Sequence, residues 1–85
     1  MKTLTQLGIL YLDHEEYEKA AEHLKRALTA NRQSSLALVS MGRLLFETGY
    51  ASNAVKYHLR ALNYNNREMQ AMIGIGNAYY ELGKL

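Results

Sequence analysis

The chain has no cysteine and no proline among its 85 residues. Without cysteine there can be no disulfide staple and no thiolate metal ligand, and nothing marks the sequence as built for an oxidising compartment, so a cytoplasmic setting is expected. Without proline, and without Gly/Ser tracts, helices can run unbroken between short turns. Long apolar runs are missing as well. Runs such as Ile9–Leu12 and Leu44–Phe46 fall far short of the roughly 18 residues that a membrane-spanning helix requires. The opening Met1-Lys2-Thr3 lacks the apolar core of a secretory leader. A soluble protein with no membrane partner is therefore expected. Charge of one sign is scarce too: the formal net charge is +2, whereas phosphate binding calls for a dense basic stripe. Lys19, Lys25, Arg26, Lys56 and Arg60 are scattered among Glu18, Glu22 and polar neighbours, which reads as a solvated face and not as a nucleic-acid surface.

What is present describes a folded helical protein. Hydrophobic residues make up 48% and charged residues 21%, outside the disordered range. A chain of this length forms at most one domain and buries only about 60 to 65% of its unfolded surface, so its stability is expected to be modest. Apolar residues recur at helical spacing. Leu4, Leu7, Tyr11 and His14 lie on one stripe, and Ala20, Leu24, Ala27 and Leu28 on a second. The polar Asp13-His14-Glu15-Glu16 between them suits a turn.

The sequence also repeats. Shifted by 34 residues, Leu4 meets Leu38, Gly8 meets Gly42, Leu10 meets Leu44, Ala20 meets Ala54, Arg26 meets Arg60, Ala27 meets Ala61, Leu28 meets Leu62 and Asn31 meets Asn65. A second shift pairs Ala37 with Ala71, Gly42 with Gly76, Glu47 with Glu81 and Gly49 with Gly83, while Val39 faces Ile73 and Phe46 faces Tyr80. The small residues have steric reasons to recur. Gly8, Gly42 and Gly76 fall inside helices, where glycine costs about 1 kcal/mol relative to alanine, so close approach of a partner helix is expected to compensate. Ala20, Ala27, Ala54 and Ala61 leave room on that partner. Gly49 and Gly83 follow a first helix, where a left-handed residue often ends it.

This pattern resembles the tetratricopeptide repeat family, which has a 34-residue helix-turn-helix period. Leu4, Leu7-Gly8, Tyr11, Tyr17, Ala20, Leu24 and Ala27 carry the resemblance in the first unit, and Ile75-Gly76-Asn77-Ala78-Tyr79-Tyr80-Glu81-Leu82-Gly83 carries it in the third. There are departures: Arg32 and Asn66 stand where the family usually has proline, His58 occupies a core position, and Leu45 replaces a tyrosine. The resemblance implies an all-α solenoid of tandem helix-turn-helix repeats, five helices in a right-handed superhelix. Its units are 1–34, 35–68 and a truncated 69–85, whose helix runs from about Glu68 to Leu82. The apolar stripe of that last helix suggests a segment of a longer array.

The resemblance further implies a scaffold or adaptor that binds an apolar or amphipathic peptide along a groove lined by the first helices. Carried over by position, the groove residues are Ile9, Leu12, Leu36, Val39, Arg43, Phe46, Ile73, Asn77 and Tyr80, with Lys2, Thr5, Asp13, Glu47, Gln70 and Glu81 at its edges. Leu12, Phe46 and Tyr80 share one phase and are expected to form a binding row, with Leu10, Tyr11, Leu44, Leu45 and Tyr79 supplying the core. The alternative is self-association, with two copies burying the stripe Met72, Ile75, Tyr79 and Leu82 against each other. One subclass of the family clamps acidic chaperone tails with lysines, asparagines and an arginine. At the matching positions this chain has Thr5, Ile9, Ser40, Gln70 and Gly74, so no such tail is expected as a partner. Arg43 is expected to pair with Glu47 one turn away.

No catalytic, cofactor or metal site is expected. Asp13-His14-Glu15-Glu16 has no second histidine at i+4. His23 is expected on an exposed face and His58 as a packed neutral ring, neither beside a serine and carboxylate that could form a triad. Gly74-Ile75-Gly76 lies within a helical pattern and does not follow a strand, so it is no phosphate loop.

Overall fold

The structure, a computed structural model, describes residues 3–83. They form five helices: α1 (Leu4–Asp13), α2 (Tyr17–Ala30), α3 (Ser35–Glu47), α4 (Ala51–Tyr64) and α5 (Met69–Gly83). There are no strands among the described residues, and the fold is the all-α helical repeat that the period implies. Lys2, an expected groove-edge residue, lies outside the described residues. Packing is most extensive within the pairs α1–α2, α3–α4 and α4–α5. The first helices also touch one another, α1 with α3 and α3 with α5, so they form one layer and α2 and α4 the other.

Each boundary has a local cause. Thr3 caps α1 in a reciprocal box: Gln6 N–H donates to Thr3 Oγ1 (3.1 Å) and Thr3 N–H to Gln6 Oε1 (2.9 Å). Ser34 caps α3 by accepting from Ala37 N–H (3.2 Å). Both first helices end in the same paired hydrogen bonds. Glu15 N–H donates to the Leu12 carbonyl and Glu16 N–H to that of Tyr11; 34 residues on, Gly49 N–H donates to Phe46 and Tyr50 N–H to Leu45. This termination needs a left-handed residue. Gly49 supplies it with φ of 94°, whereas the first unit uses Glu15 with φ of 60°. Gly83 departs from its expected role as a stop: it is the last residue of α5, and its φ is not in the left-handed range.

The unit junctions are braced by asparagine. Asn31 Oδ1 accepts from Gln33 N–H (3.0 Å) and Asn65 Oδ1 from Arg67 N–H (3.2 Å), while their carbonyls accept from Ser34 and Glu68 N–H. These side-chain turns hold the chain at the junctions, where it has no proline.

The core sits between the layers. Leu12, Ala20, Leu24, Met41 and Leu44 form one cluster, and Leu38, Ala61 and Ala71 a second. Ala20 and Ala54 are wholly buried, as expected of residues at helix crossings. Several stripe residues depart from expectation. Leu10 is 37% and Tyr79 57% exposed, so neither is core; Tyr11 and Leu45 are partly buried against the first cluster, and His14 is an exposed cap. His23 is half-buried and not on an open face. Its Nδ1 donates to the Lys19 carbonyl (2.9 Å) and its ring lies 5.1 Å from that of Tyr11.

The glycine contacts explain the period. A Cβ built on Gly8 would lie 2.7 Å from Leu24, and one on Gly42 2.6 Å from the ring of His58. These are equivalent contacts one unit apart. Gly76 occupies the same register but has nothing within 4 Å, because no helix among the described residues covers that side of α5. No described helix is long and apolar enough to cross a membrane.

Candidate functional site

Five of the nine sequence-derived groove residues line one cavity. Val39, Arg43 and Phe46 from α3 face Ile73 and Asn77 from α5, with Glu47, Gln70, Gly74 and His58 completing a space of about 300 Å³. The helices deliver these side chains by their period: 39, 43 and 46 are three or four apart on one face of α3, as are 70, 73 and 77 on α5. The walls are aliphatic and aromatic, with amides and one ion cluster at the rim.

The other four residues lie elsewhere. Leu12 is 1% exposed and belongs to the core, which corrects its assignment to the groove. Its cluster includes Met41 and Leu44 of the next first helix. One unit on, the corresponding positions are Ile75 and Ala78, and Phe46 is only partly buried. Tyr80, at the end of the same row, is 68% exposed. One phase thus passes from core to surface along the array, and the three residues do not form a continuous binding row. Ile9 is half-buried and borders a separate shallow concavity with Gln6, Leu10 and Asp13. Leu36 is 52% exposed and, like Tyr80, is not among the residues lining the α3–α5 cavity.

His58 floors the groove. It is 2% exposed, and its Cε1–Nε2 edge is wedged between Gly42 on α3 and Gly74 on α5; a side chain at either glycine would collide with the ring. Its Nδ1 has no hydrogen-bond partner. Burial pushes its pKa below the usual histidine value, because a charged ring would lose its hydration without gaining a counter-charge. The sequence correctly marked His58 as a packed ring but missed its place in the groove. The signal was Gly74, present where the preceding unit has Ser40, and needed because His58 replaces the shorter Leu24 of the first unit.

Charge at the rim is only partly compensated, one guanidinium serving two carboxylates. Arg43 lies 3.0 Å from Asp13 and 3.7 Å from Glu47, so the expected Arg43–Glu47 pair is joined by a carboxylate from α1. Tyr17 senses this end of the groove. Partial burial raises its pKa, Glu15 and Glu47 raise it further, and Arg43 works against them. Of the positions that would form an acidic-tail clamp, Ser40 is buried with its hydroxyl donated to the Leu36 carbonyl (2.8 Å), and Gly74 contributes no side chain.

A second, larger cavity of about 590 Å³ lies between the α3–α4 turn and the end of α5, with Phe46, Glu47, Tyr50 and Leu82 in its lining. Phe46 and Glu47 border both cavities. Residues 2–34 match the family model described as Tetratricopeptide repeat. No curated protein matches the chain.

Proposed function

We propose that this chain is a tetratricopeptide repeat adaptor holding a peptide segment in the α3–α5 groove: residues 2–34 match that family's model, and its repeats generally mediate protein–protein interactions. The supporting observation is that Val39, Phe46 and Ile73 converge on one cavity with Arg43 and Asn77. Apolar walls with a few polar points suit a short segment that buries one or two aliphatic side chains. Helices preformed on one side confine the ordering cost of binding to the ligand. The family is typically a non-catalytic scaffold, and this chain acts without catalysis, cofactor, nucleic acid or membrane in this reading, in the cytoplasm. Its units are 1–34, 35–68 and 69–85.

The test is capture of a partner from extract by wild type and by Phe46→Ala/Ile73→Ala. The double variant is expected to lose a specific partner while its helicity stays near wild type by circular dichroism. Equal capture by both would refute the groove.

A second reading is favoured by a separate observation. Met72 is 49% and Tyr79 57% exposed around the open Gly76, whereas their counterparts Leu38 and Leu45 are buried and partly buried. Self-association through Met72, Ile75, Tyr79 and Leu82 would cover this stripe. It predicts a dimer that dissociates on dilution in sedimentation velocity runs; a monomer at every concentration would exclude it.

A further inference from the structure

Counted over the described helical residues, the two layers carry opposite net charge. The first helices α1, α3 and α5 hold three carboxylates, Asp13, Glu47 and Glu81, against the single guanidinium of Arg43. The second helices α2 and α4 hold five cations, Lys19, Lys25, Arg26, Lys56 and Arg60, against Glu18 and Glu22. Local geometry sharpens this. Arg43 is already engaged by Asp13 at 3.0 Å and Glu47 at 3.7 Å, which leaves one carboxylate charge uncompensated at the rim. The floor adds no fixed positive charge, since burial disfavours the charged form of the His58 ring. It does offer a polar ring, 98% removed from solvent, with an unpartnered nitrogen and one edge set between Gly42 and Gly74.

Resting on the groove reading above, we propose that the occupant is a basic, apolar peptide segment. An aliphatic side chain lies on Val39, Phe46 and Ile73, and a neighbouring lysine or arginine sits beside the Asp13–Arg43–Glu47 cluster. An acidic segment meets the opposite conditions: Arg43 is spoken for, and the ligand's carboxylates face Asp13 and Glu47. The ion pairs formed are exposed, since the side chains of Asp13 and Glu47 are 53% and 34% accessible. Charge therefore selects the ligand more than it tightens it.

Panning a random peptide library displayed on phage against the full chain should enrich peptides that combine leucine, isoleucine or valine with net positive charge. A selected peptide, titrated by fluorescence anisotropy, should bind Glu47→Gln roughly two- to fivefold more weakly than wild type, and that difference should vanish in about 1 M salt. The same peptide should bind Ile73→Ala more weakly at either salt concentration. Peptides sensitive to Ile73→Ala but carrying no positive excess, or indifferent to Glu47→Gln at low salt, would overturn the charge assignment and leave the groove reading standing. Peptides indifferent to Ile73→Ala, or no enrichment, would overturn both.

Discussion

Replacing His58 by leucine should make the protein more stable and less sensitive to acid. The ring occupies the position that Leu24 fills in the first unit, over Gly42 as Leu24 lies over Gly8, so the helix spacing already suits a leucine. Its Nδ1 is buried without a partner, and an unsatisfied buried polar atom costs about 1 to 3 kcal/mol. Leucine removes that cost. The few ring atoms lost beside Gly74 open towards the groove, so little enclosed cavity results. A gain of about 1 to 2 kcal/mol is expected near neutral pH. Burial lowers the folded-state pKa of His58, so as pH falls through the ordinary histidine value of about 6.5, the unfolded chain takes up a proton that the folded chain refuses. Stability is then flat above that pH, declines below it, and levels once the folded-state pKa is passed. His58→Leu abolishes this component. Urea titrations of both proteins at pH 7.5 and 5.5 measure the two effects together, and a gain of this size moves the midpoint by about 1 M or more. A variant less stable than wild type at pH 7.5, or one showing the same loss on acidification, would refute the reasoning.

Glu15 is in the left-handed region where the next unit has Gly49, a conformation costing an L-residue about 1 to 2 kcal/mol. Glu15→Gly should therefore raise stability by about 0.5 to 1 kcal/mol after glycine's greater unfolded-state entropy is subtracted, seen as a rise of a few degrees in Tm. Gly42 and Gly76 share a register but not an environment: Gly76→Ala should stabilise by about 1 kcal/mol through helix propensity, and Gly42→Ala should destabilise through collision with His58, both read from urea midpoints. Ala54 is wholly buried, so Ala54→Leu should cost about 1 to 3 kcal/mol by overpacking. Lys25→Ala on the exposed face should change stability by less than about 0.5 kcal/mol.

The period was legible because it is written in small residues whose role is steric. Gly8 and Gly42 each meet a bulky side chain 16 residues on, Leu24 and His58, and that contact must recur wherever the hairpin does. The faces of α3 and α5 that meet across the groove were legible through the family resemblance, which assigned Val39, Arg43, Phe46, Ile73 and Asn77 to them by position. Phase could not tell how much of each position the next unit covers. Leu12 is buried and Tyr80 is 68% exposed at the same phase, because one has a following first helix with Met41 and Leu44 and the other has none among the described residues. Nor could it place Asp13 on Arg43, a contact between α1 and α3 that depends on how far successive first helices are rotated about each other.

His58 links the repeat's packing to the groove's chemistry. In the first unit the residue over the glycine is Leu24, an apolar side chain. In the second the longer ring reaches past Gly42 to the next first helix, and the site it meets is Gly74 and not a second serine. Both glycines are therefore committed to one side chain. If the ring were there only to fill space, Gly74→Ser with His58→Leu would restore the pattern of the first junction and leave ligand affinity unchanged. If the polar floor contributes to recognition, the double variant should be more stable than wild type and bind its selected peptide more weakly. Urea unfolding and peptide titration on the same two proteins separate these cases: a stability gain with unaltered affinity would confine His58 to packing.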